Sequence, residues 1–300
     1  MFINQVEAFV NVVKYKSFSQ AARKLYLSQP TISAHIKSLE SELGVQLLVR
    51  TTKDVVLSDA GRIFYEYALE LIHIRDIAYT KMKAYTNEIK GTLRLTSSKV
   101  PAQYVLPELL ASLRKANSDI ICTISETDSQ GVINSLNSFD ADLGFTDTAV
   151  ADSRINFIPI QEDRLVLITP NTAYYRHFEG KFPIDLLMKT PFIWGSPRSG
   201  TRQATIAFLE SIGIKETDMN IVTETTSTES TKQAVFKNLG LSFISRTAVQ
   251  DYLKFGYLLA FDFDSNLLNR SIYAAHHKSI MFSPTAEYFF NFIKEFYHIS

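Results

Sequence analysis

Ser17-Phe18-Ser19-Gln20-Ala21-Ala22-Arg23-Lys24-Leu25, followed after Tyr26 and Leu27 by Ser28-Gln29-Pro30-Thr31-Ile32-Ser33, decides how the chain is read. A serine ahead of a helical run can accept a hydrogen bond from an amide of the first turn, and proline suits only that turn. Ser17 and Ser28 therefore mark two helix starts separated by a tight turn. Ala21 and Ala22 let a neighbouring helix approach closely. Upstream, Ile3, Val6, Phe9, Val10 and Val13 recur at helical spacing. Downstream, Ile32, Ile36, Leu39 and Leu43 share one face until Gly44 stops the run. Short helices around one small core are expected, followed by two β-prone runs between Leu47 and Leu57 that read as a two-stranded wing. This N-terminal domain covers residues 1–58.

A helix, a tight turn and a capped helix allow the last helix to lie in a DNA major groove while the one before it braces the backbone. With Ile32, Ile36 and Leu39 inward, the rotation of 100° per residue points Pro30, Ser33, Ala34 and Lys37 outward, with Gln29 at the helix start. A glutamine amide can pair bidentately with adenine, a serine hydroxyl can serve several base edges, and Pro30 and Ala34 offer apolar contact to a thymine methyl. Lys37, Arg50 and Lys53 are better suited to phosphates, which supply affinity and register but no sequence information. Each of these residues alone reads equally well as an ordinary solvated helix position.

Residues 59–90 contain no proline and carry Ile63, Tyr67, Leu71, Ile74, Ala78, Met82 and Tyr85 at spacings of three or four. A helix of that length has too little core of its own to cover such a stripe, which points to a partner helix from a second subunit. Docking on the chain's own C-terminal domain is the alternative.

Gly91 marks a change of texture. From Thr92 onward, strand-like runs (93–96, 120–125, 143–146, 165–169, 192–194 and 241–244) alternate with helical ones. That pattern predicts α/β units around a largely parallel sheet. Residues 91–300 could form one domain or two lobes. In the two-lobe reading, lobe I takes about 91–162 and 266–300 and lobe II about 163–265, with Gln161-Glu162-Asp163-Arg164 and Phe261-Asp262-Phe263-Asp264 as crossings.

Thirty-one basic residues balance 31 acidic ones over 300 residues. The halves differ, because residues 1–90 hold 12 Lys/Arg against 9 Asp/Glu, leaving 19 against 22 for the rest. The small basic excess sits beside the helix-turn-helix. A hydrophobic content of 46% excludes collagen-like and disordered classes. The single cysteine, Cys122, cannot form an internal disulfide and has no zinc-ligand companions, which fits a reducing, cytoplasmic setting. The first residues lack a signal-peptide pattern, and no apolar run reaches membrane-spanning length, so neither secretion nor membrane association is expected.

Hydroxyl residues cluster after predicted strands or ahead of helices: Thr96-Ser97-Ser98-Lys99, Ser196-Pro197-Arg198-Ser199-Gly200-Thr201-Arg202 and Thr225-Thr226-Ser227-Thr228. Each reads alone as helix capping. Together, with backbone amides at helix starts and with Lys99 or an arginine adding charge, they suggest one pocket for an oxyanion or small carboxylate. Enzyme chemistry finds no support. Thr201 stands where a P-loop needs lysine, and the sequence lacks G-x-S-x-G, H-E-x-x-H and C-x-x-C. His276-His277 reads as a surface or packing pair.

Taken in order, the quoted run, then Leu39-Glu40-Ser41-Glu42-Leu43-Gly44, Arg50-Thr51 and Leu57-Ser58-Asp59-Ala60-Gly61 closely resemble the winged helix-turn-helix of LysR-type transcriptional regulators. The resemblance implies a winged helix-turn-helix joined by a long linker helix to a two-lobed α/β sensor domain of the periplasmic-binding-protein kind. It also implies operator DNA as partner and a homodimer, paired further into a tetramer. RNA polymerase is allowed as a further partner, with no membrane contact and no cofactor. Many family members carry arginine where this chain has Ala34, which leaves direct base reading to Gln29 and Ser33 and more discrimination to DNA shape. A small-molecule inducer is implied between the lobes, against Ser97, Ser98 and Lys99 on one side. Ser199, Thr201 and Arg202 with Thr226, Ser227 and Thr228 lie on the other, and Thr146-Asp147-Thr148 is a further candidate wall. Ser97 and Ser98 are alternative inward-facing residues. A solute-binding protein would explain such a cleft but leave the first ninety residues without a purpose.

Overall fold

A computed structural model describes residues 1–50, 55–84, 89–197, 199–279 and 281–299, with the backbone alone at 50, 83 and 84. The chain divides into two compact units, Met1–Glu88 with Ile280–Pro284, and Ile89–Ser279 with Thr285–Ser300.

The first unit packs α1 (Ile3–Tyr15), α2 (Phe18–Lys24) and α3 (Gln29–Leu43) around Phe9, Ala21, Ile32, Ile36 and Leu39. The caps lie where the sequence puts them. Ser17 Oγ accepts from the Gln20 amide and Ser28 Oγ from the Thr31 amide, both at 3.2 Å. Gly44 ends α3 in the left-handed region at φ 68°, which glycine enters without steric cost. Strands β1 (Leu48–Arg50) and β2 (Val55–Leu57) pair antiparallel as the wing.

Helix α4 (Asp59–Ala84) then begins tightly against the core. A Cβ at Gly61 would lie 2.0 Å from the Leu47 carbonyl oxygen, so only glycine fits there. Gly61→Ala is expected to destabilise this unit by about 1–3 kcal/mol. Hydrogen exchange should show faster exchange in α1–α3 with the second unit unaffected; unaltered protection in α1–α3 would refute the close approach. Along α4, Ala68 and Ile77 are buried, whereas Ile63, Tyr67, Ile74, Tyr79 and Met82 are exposed. Tyr85 of the expected stripe lies outside the described residues.

The second unit begins with β3 (Gly91–Ser98), α5 (Lys99–Tyr104), α6 (Leu106–Ala116), β4 (Ile120–Thr127), α7 (Ser129–Asn137) and β5 (Leu143–Thr146). It continues through β6 (Ile155–Pro170), α8 (Ala173–Arg176), β7 (Phe192–Trp194), α9 (Gly200–Ser211), β8 (Ile221–Glu224) and α10 (Thr228–Phe236). It closes with β9 (Ser242–Ser245), α11 (Arg246–Lys254), β10 (Leu258–Phe261), β11 (Asn269–His277) and α12 (Pro284–Phe296).

The main sheet runs β10-β6-β11-β5-β3-β4, with β9 also paired to β6. The expected parallel pairing holds for β3 with β4 and β5, and for β7 with β8. The centre of the sheet corrects that expectation, because β6 pairs antiparallel with β9, β10 and β11, and β11 antiparallel with β5. Strand β6 continues through the expected crossing. Its polar stretch Gln161–Arg164 reads as a crossing, yet it stays in strand, and Arg164 faces Asn269 of β11. Beyond it, alternate residues of β6 enter two cores: Leu165 and Leu167 join Trp194, Phe208 and Phe243, while Val166 and Ile168 join Ile193, Val235 and Val249.

Among the described residues no helix is long and apolar enough to cross a membrane, and no group of three or more His, Cys, Asp or Glu side chains could hold a metal ion.

Candidate functional sites

At the first site, Gln29, Pro30, Ala34 and Lys37 are exposed along α3 and Ser33 is half-buried, while Ile32 and Ile36 point into the core. Ser19 Oγ of α2 donates to Gln29 Oε1 at 2.8 Å, which fixes the orientation of the amide at the start of α3. Arg50 ends β1, its side chain outside the description, and Lys53 lies outside the described residues. One residue that sequence reasoning passed over is Tyr26 at the turn. It is 96% exposed and held at φ 56°, a conformation uncommon for a bulky residue. Only its position between the two caps could have drawn attention to it.

The second site is a cavity of about 100 Å³ at the ends of β3, β4, β5, β7, β8 and β9. Ser98, Lys99, Ser199, Thr201, Thr226, Ser227 and Thr228 all line it. They come together because α7, α9 and α10 each begin at its wall: Ser129, Gly200 and Thr228 are their first residues. Helix starts carry unpaired amides and partial positive charge, and three aimed at one cavity favour a negative group. Ser227 Oγ accepts from the Ser230 amide at 3.2 Å, so it caps α10, whereas Ser199 makes no side-chain cap for α9. Lys99 Nζ donates to the Thr226 carbonyl across the cavity.

Ser97, Thr146 and Arg202 depart from the expected pocket. Ser97 is fully buried and its hydroxyl donates to the Ser98 carbonyl at 2.9 Å, which leaves Ser98 as the inward residue of that loop. Thr146 is also fully buried, donating to the Thr148 carbonyl at 3.0 Å. Arg202 turns away to Glu216 and Glu224 and lies over the Trp194 ring, 5.1 Å from its centroid. Burial works against the Arg202 charge, but the two glutamates outweigh it and raise its pKa. It braces α9 and is not among the residues that line the cavity.

Asp147, within the expected Thr146–Thr148 wall, does reach the cavity, whereas sequence reasoning missed Asp128 and the cations behind the wall. Asp128 and Asp147 both line the cavity. Asp128 is occupied as the α7 cap, accepting from the Gly131 amide at 2.8 Å. Asp147 accepts from Ser98 Oγ at 3.0 Å and pairs with Arg270 Nη1 at 2.9 Å. Arg270 also donates from Nε to Asp163 at 2.8 Å and from Nη1 to Thr201 Oγ1 at 3.3 Å. Burial disfavours its charge, yet the two carboxylates hold its pKa above the ordinary value.

Lys232 of α10 is a second buried cation, 2.7 Å from Glu229 and stacked over Tyr104 of α5 and Tyr252 of α11. Burial again opposes the charge, but Glu229 and Tyr104 raise its pKa. It ties the wall that carries Thr228 to the helix that carries Lys99. No local pattern announces these pairs, since Arg270 lies 107 residues beyond Asp163.

Residues 3–62 match the family model described as bacterial regulatory helix-turn-helix protein, lysR family, and residues 86–297 match the LysR substrate binding domain. The chain belongs to the LysR-type transcriptional regulators. The regulator is 26% identical over 299 residues to the HTH-type transcriptional regulator CysL of Bacillus subtilis, covering 99% of this chain and 98% of that one. In fold it is similar to a full-length OxyR point variant from Pseudomonas aeruginosa, with a TM-score of 0.74, 18% identity, and coverage of 98% and 94%. It is also similar to the effector binding domain of QuiR in complex with shikimate, with a TM-score of 0.61 and 19% identity over 70% of this chain and 98% of that one. The regulator thus joins a DNA-binding helix-turn-helix to an effector-binding domain.

Proposed function

We propose that the regulator binds an inverted-repeat operator as a homodimer, pairing further into a tetramer, and that a small anionic effector in the 100 Å³ cavity alters its promoter contact. The observation that carries the effector class is the convergence of three helix starts with a ring of hydroxyls. Asp147 is paired with Arg270, Asp128 is engaged as the α7 cap, and Lys99 adds a cation at the same wall. A carboxylate or oxyanion suits that field. The shikimate carried by the QuiR domain has a carboxylate among hydroxyls, which agrees with this class.

The exposed stripe on α4 supports pairing of two α4 helices, since a lone apolar helix face of that length is rarely left in water. A symmetric pair presents two α3 helices to half-sites a helical turn or more apart. Gln29 and Ser33 read bases, Pro30 and Ala34 supply apolar contact, and Lys37, Arg50 and Lys53 hold phosphates. The exposed phenol of Tyr26 adds a donor toward the DNA backbone. Acting on DNA, the protein works in the cytoplasm. An effector changes this only through unequal affinity for two arrangements, with coupling of about 1–3 kcal/mol.

A thermal-shift and Trp194-fluorescence screen of small metabolites tests the effector class, because Trp194 adjoins cavity residue Gly195. A ligand at 100 times its dissociation constant should stabilise the protein by about 2.7 kcal/mol. Carboxylates and oxyanions should dominate the hits, and Ser199→Ala with Thr228→Val should weaken them at least tenfold. Hits confined to cations or uncharged compounds would refute the anionic class.

A further inference from the structure

A second cavity, of about 630 Å³, lies beside the middle of β6, the start of α11 and the start of β11. Each of these elements contributes an arginine to it: Arg164, Arg246 and Arg270. Glu162 and Asp163 supply the opposing charge in the lining. Asp163 is saturated, accepting from Ser245 Oγ at 2.9 Å, Thr247 Oγ1 at 3.0 Å and Arg270 Nε at 2.8 Å. Asp147 also pairs with Arg270, and Asp262 is shared by Arg164 and Arg246. One acid thus serves two guanidinium groups, each of which can hold a carboxylate by a two-pronged fork.

Two buried guanidinium nitrogens in this lining, Arg164 Nε and Arg270 Nη2, make no hydrogen bond to any described residue. Arg164 Nε approaches Asp262 Oδ1 at 3.5 Å without hydrogen-bond geometry. Buried charged donors without acceptors are costly, and native proteins rarely keep them without a use. Thr247 and the exposed Gln250 add neutral polar groups at the same wall.

We propose that this cavity is a second ligand site, for a small carboxylate, held by Arg246, Arg164 and Arg270. It is separate from the cavity at the helix starts, which shares none of its lining residues. Arg270 joins the two. Its Nη1 holds Asp147 and Thr201, both of which line the first cavity, while the arginine itself lines the second. Occupancy of one site therefore changes affinity at the other, by the same factor in both directions. That coupling rests on the effector reading above; the second site does not.

The test is calorimetric titration of the full-length protein with malonate at low ionic strength, in wild type and three variants. Ser199→Ala/Thr228→Val alters the first cavity and should retain a malonate site. Arg246→Gln should weaken that site at least tenfold, as should Gln250→Glu, which places a like charge at an exposed position where folding is not at stake. Should Arg246→Gln fail to fold, Gln250→Glu alone decides. Titration of Gln250→Glu indistinguishable from wild type, or loss of all malonate binding in the first-cavity variant, overturns the proposal. So does the absence of malonate binding to wild type. The Trp194 response to first-cavity ligands is read in parallel, so failure of the effector reading leaves the malonate result standing, and the converse holds.

Discussion

Replacing Gln29 and Ser33 together with alanine is expected to cut the regulator's preference for operator over random duplex by roughly five- to 150-fold, while random-duplex affinity stays nearly constant. The estimate follows from the ~1–3 kcal/mol of discrimination that one good bidentate base contact supplies. The geometry of α3 makes Gln29 the leading candidate for such a contact. It is exposed at the helix start, and Ser19 uses only one lone pair of Oε1, leaving the other and both Nε2 protons for a base edge. With Ala34 beside it in place of a long donor, little else on this face can compensate. Competition mobility-shift series at one fixed salt concentration read the effect. Lys37→Gln should behave differently, weakening operator and random DNA alike and lowering the salt slope by about one. Unchanged operator preference in the Gln29→Ala/Ser33→Ala protein would remove α3 from its assigned place.

The largest effect on stability is expected from Arg270→Met. Methionine keeps an unbranched apolar stem but leaves Asp147 and Asp163 charged and buried, with no cation between them. Breaking a buried ion pair from one side costs about 3–5 kcal/mol, because the partner's desolvation is no longer compensated. The second unit should therefore unfold at a distinctly lower urea concentration, followed by the fluorescence of Trp194, which lies in that unit's core. Adding Asp147→Asn and Asp163→Asn to the same protein should restore much of the loss, since the stranded charges are then gone. A cost under about 1 kcal/mol for Arg270→Met would mean that the two acids are not held as described.

The contrast between these two regions explains what could be read from the sequence. The helix-turn-helix is specified by neighbours: Ser17 and Ser28 cap helices a few residues away, Pro30 fits only a first turn, and Gly44 ends what Ile32 and Leu39 began. The hydroxyl loops are nearly as local, because a serine or threonine after a strand and before a helix announces the helix start that it serves. Ser97 and Ser98 show the limit of that signal. They are adjacent and chemically alike, and only the packing of β3 turns the Ser97 hydroxyl to the Ser98 carbonyl and the Ser98 hydroxyl to Asp147 at the cavity. Arg202 misled for a related reason, since a basic residue one turn into α9 is drawn to Glu216 and Glu224, whose positions depend on the later β7–β8 pair. The Asp147–Arg270–Asp163 triad had no signature at all, because its members gather only when β5, β6 and β11 lie side by side. Gln161–Arg164 reads as a crossing between lobes because it is a polar run between two apolar ones, and Asp163 and Arg164 are polar there to meet Arg270 and Asp262.

Strand β6 carries a consequence for how such a receptor can be divided. Residues 155–164 are laddered to β11 and residues 165–170 to β9 and β10, so a single uninterrupted backbone closes the sheet on both sides of the triad. Severing the polypeptide there would expose raw edges on both pieces, each a template for unwanted association. Neither half is a portable module that recombination could transplant by itself.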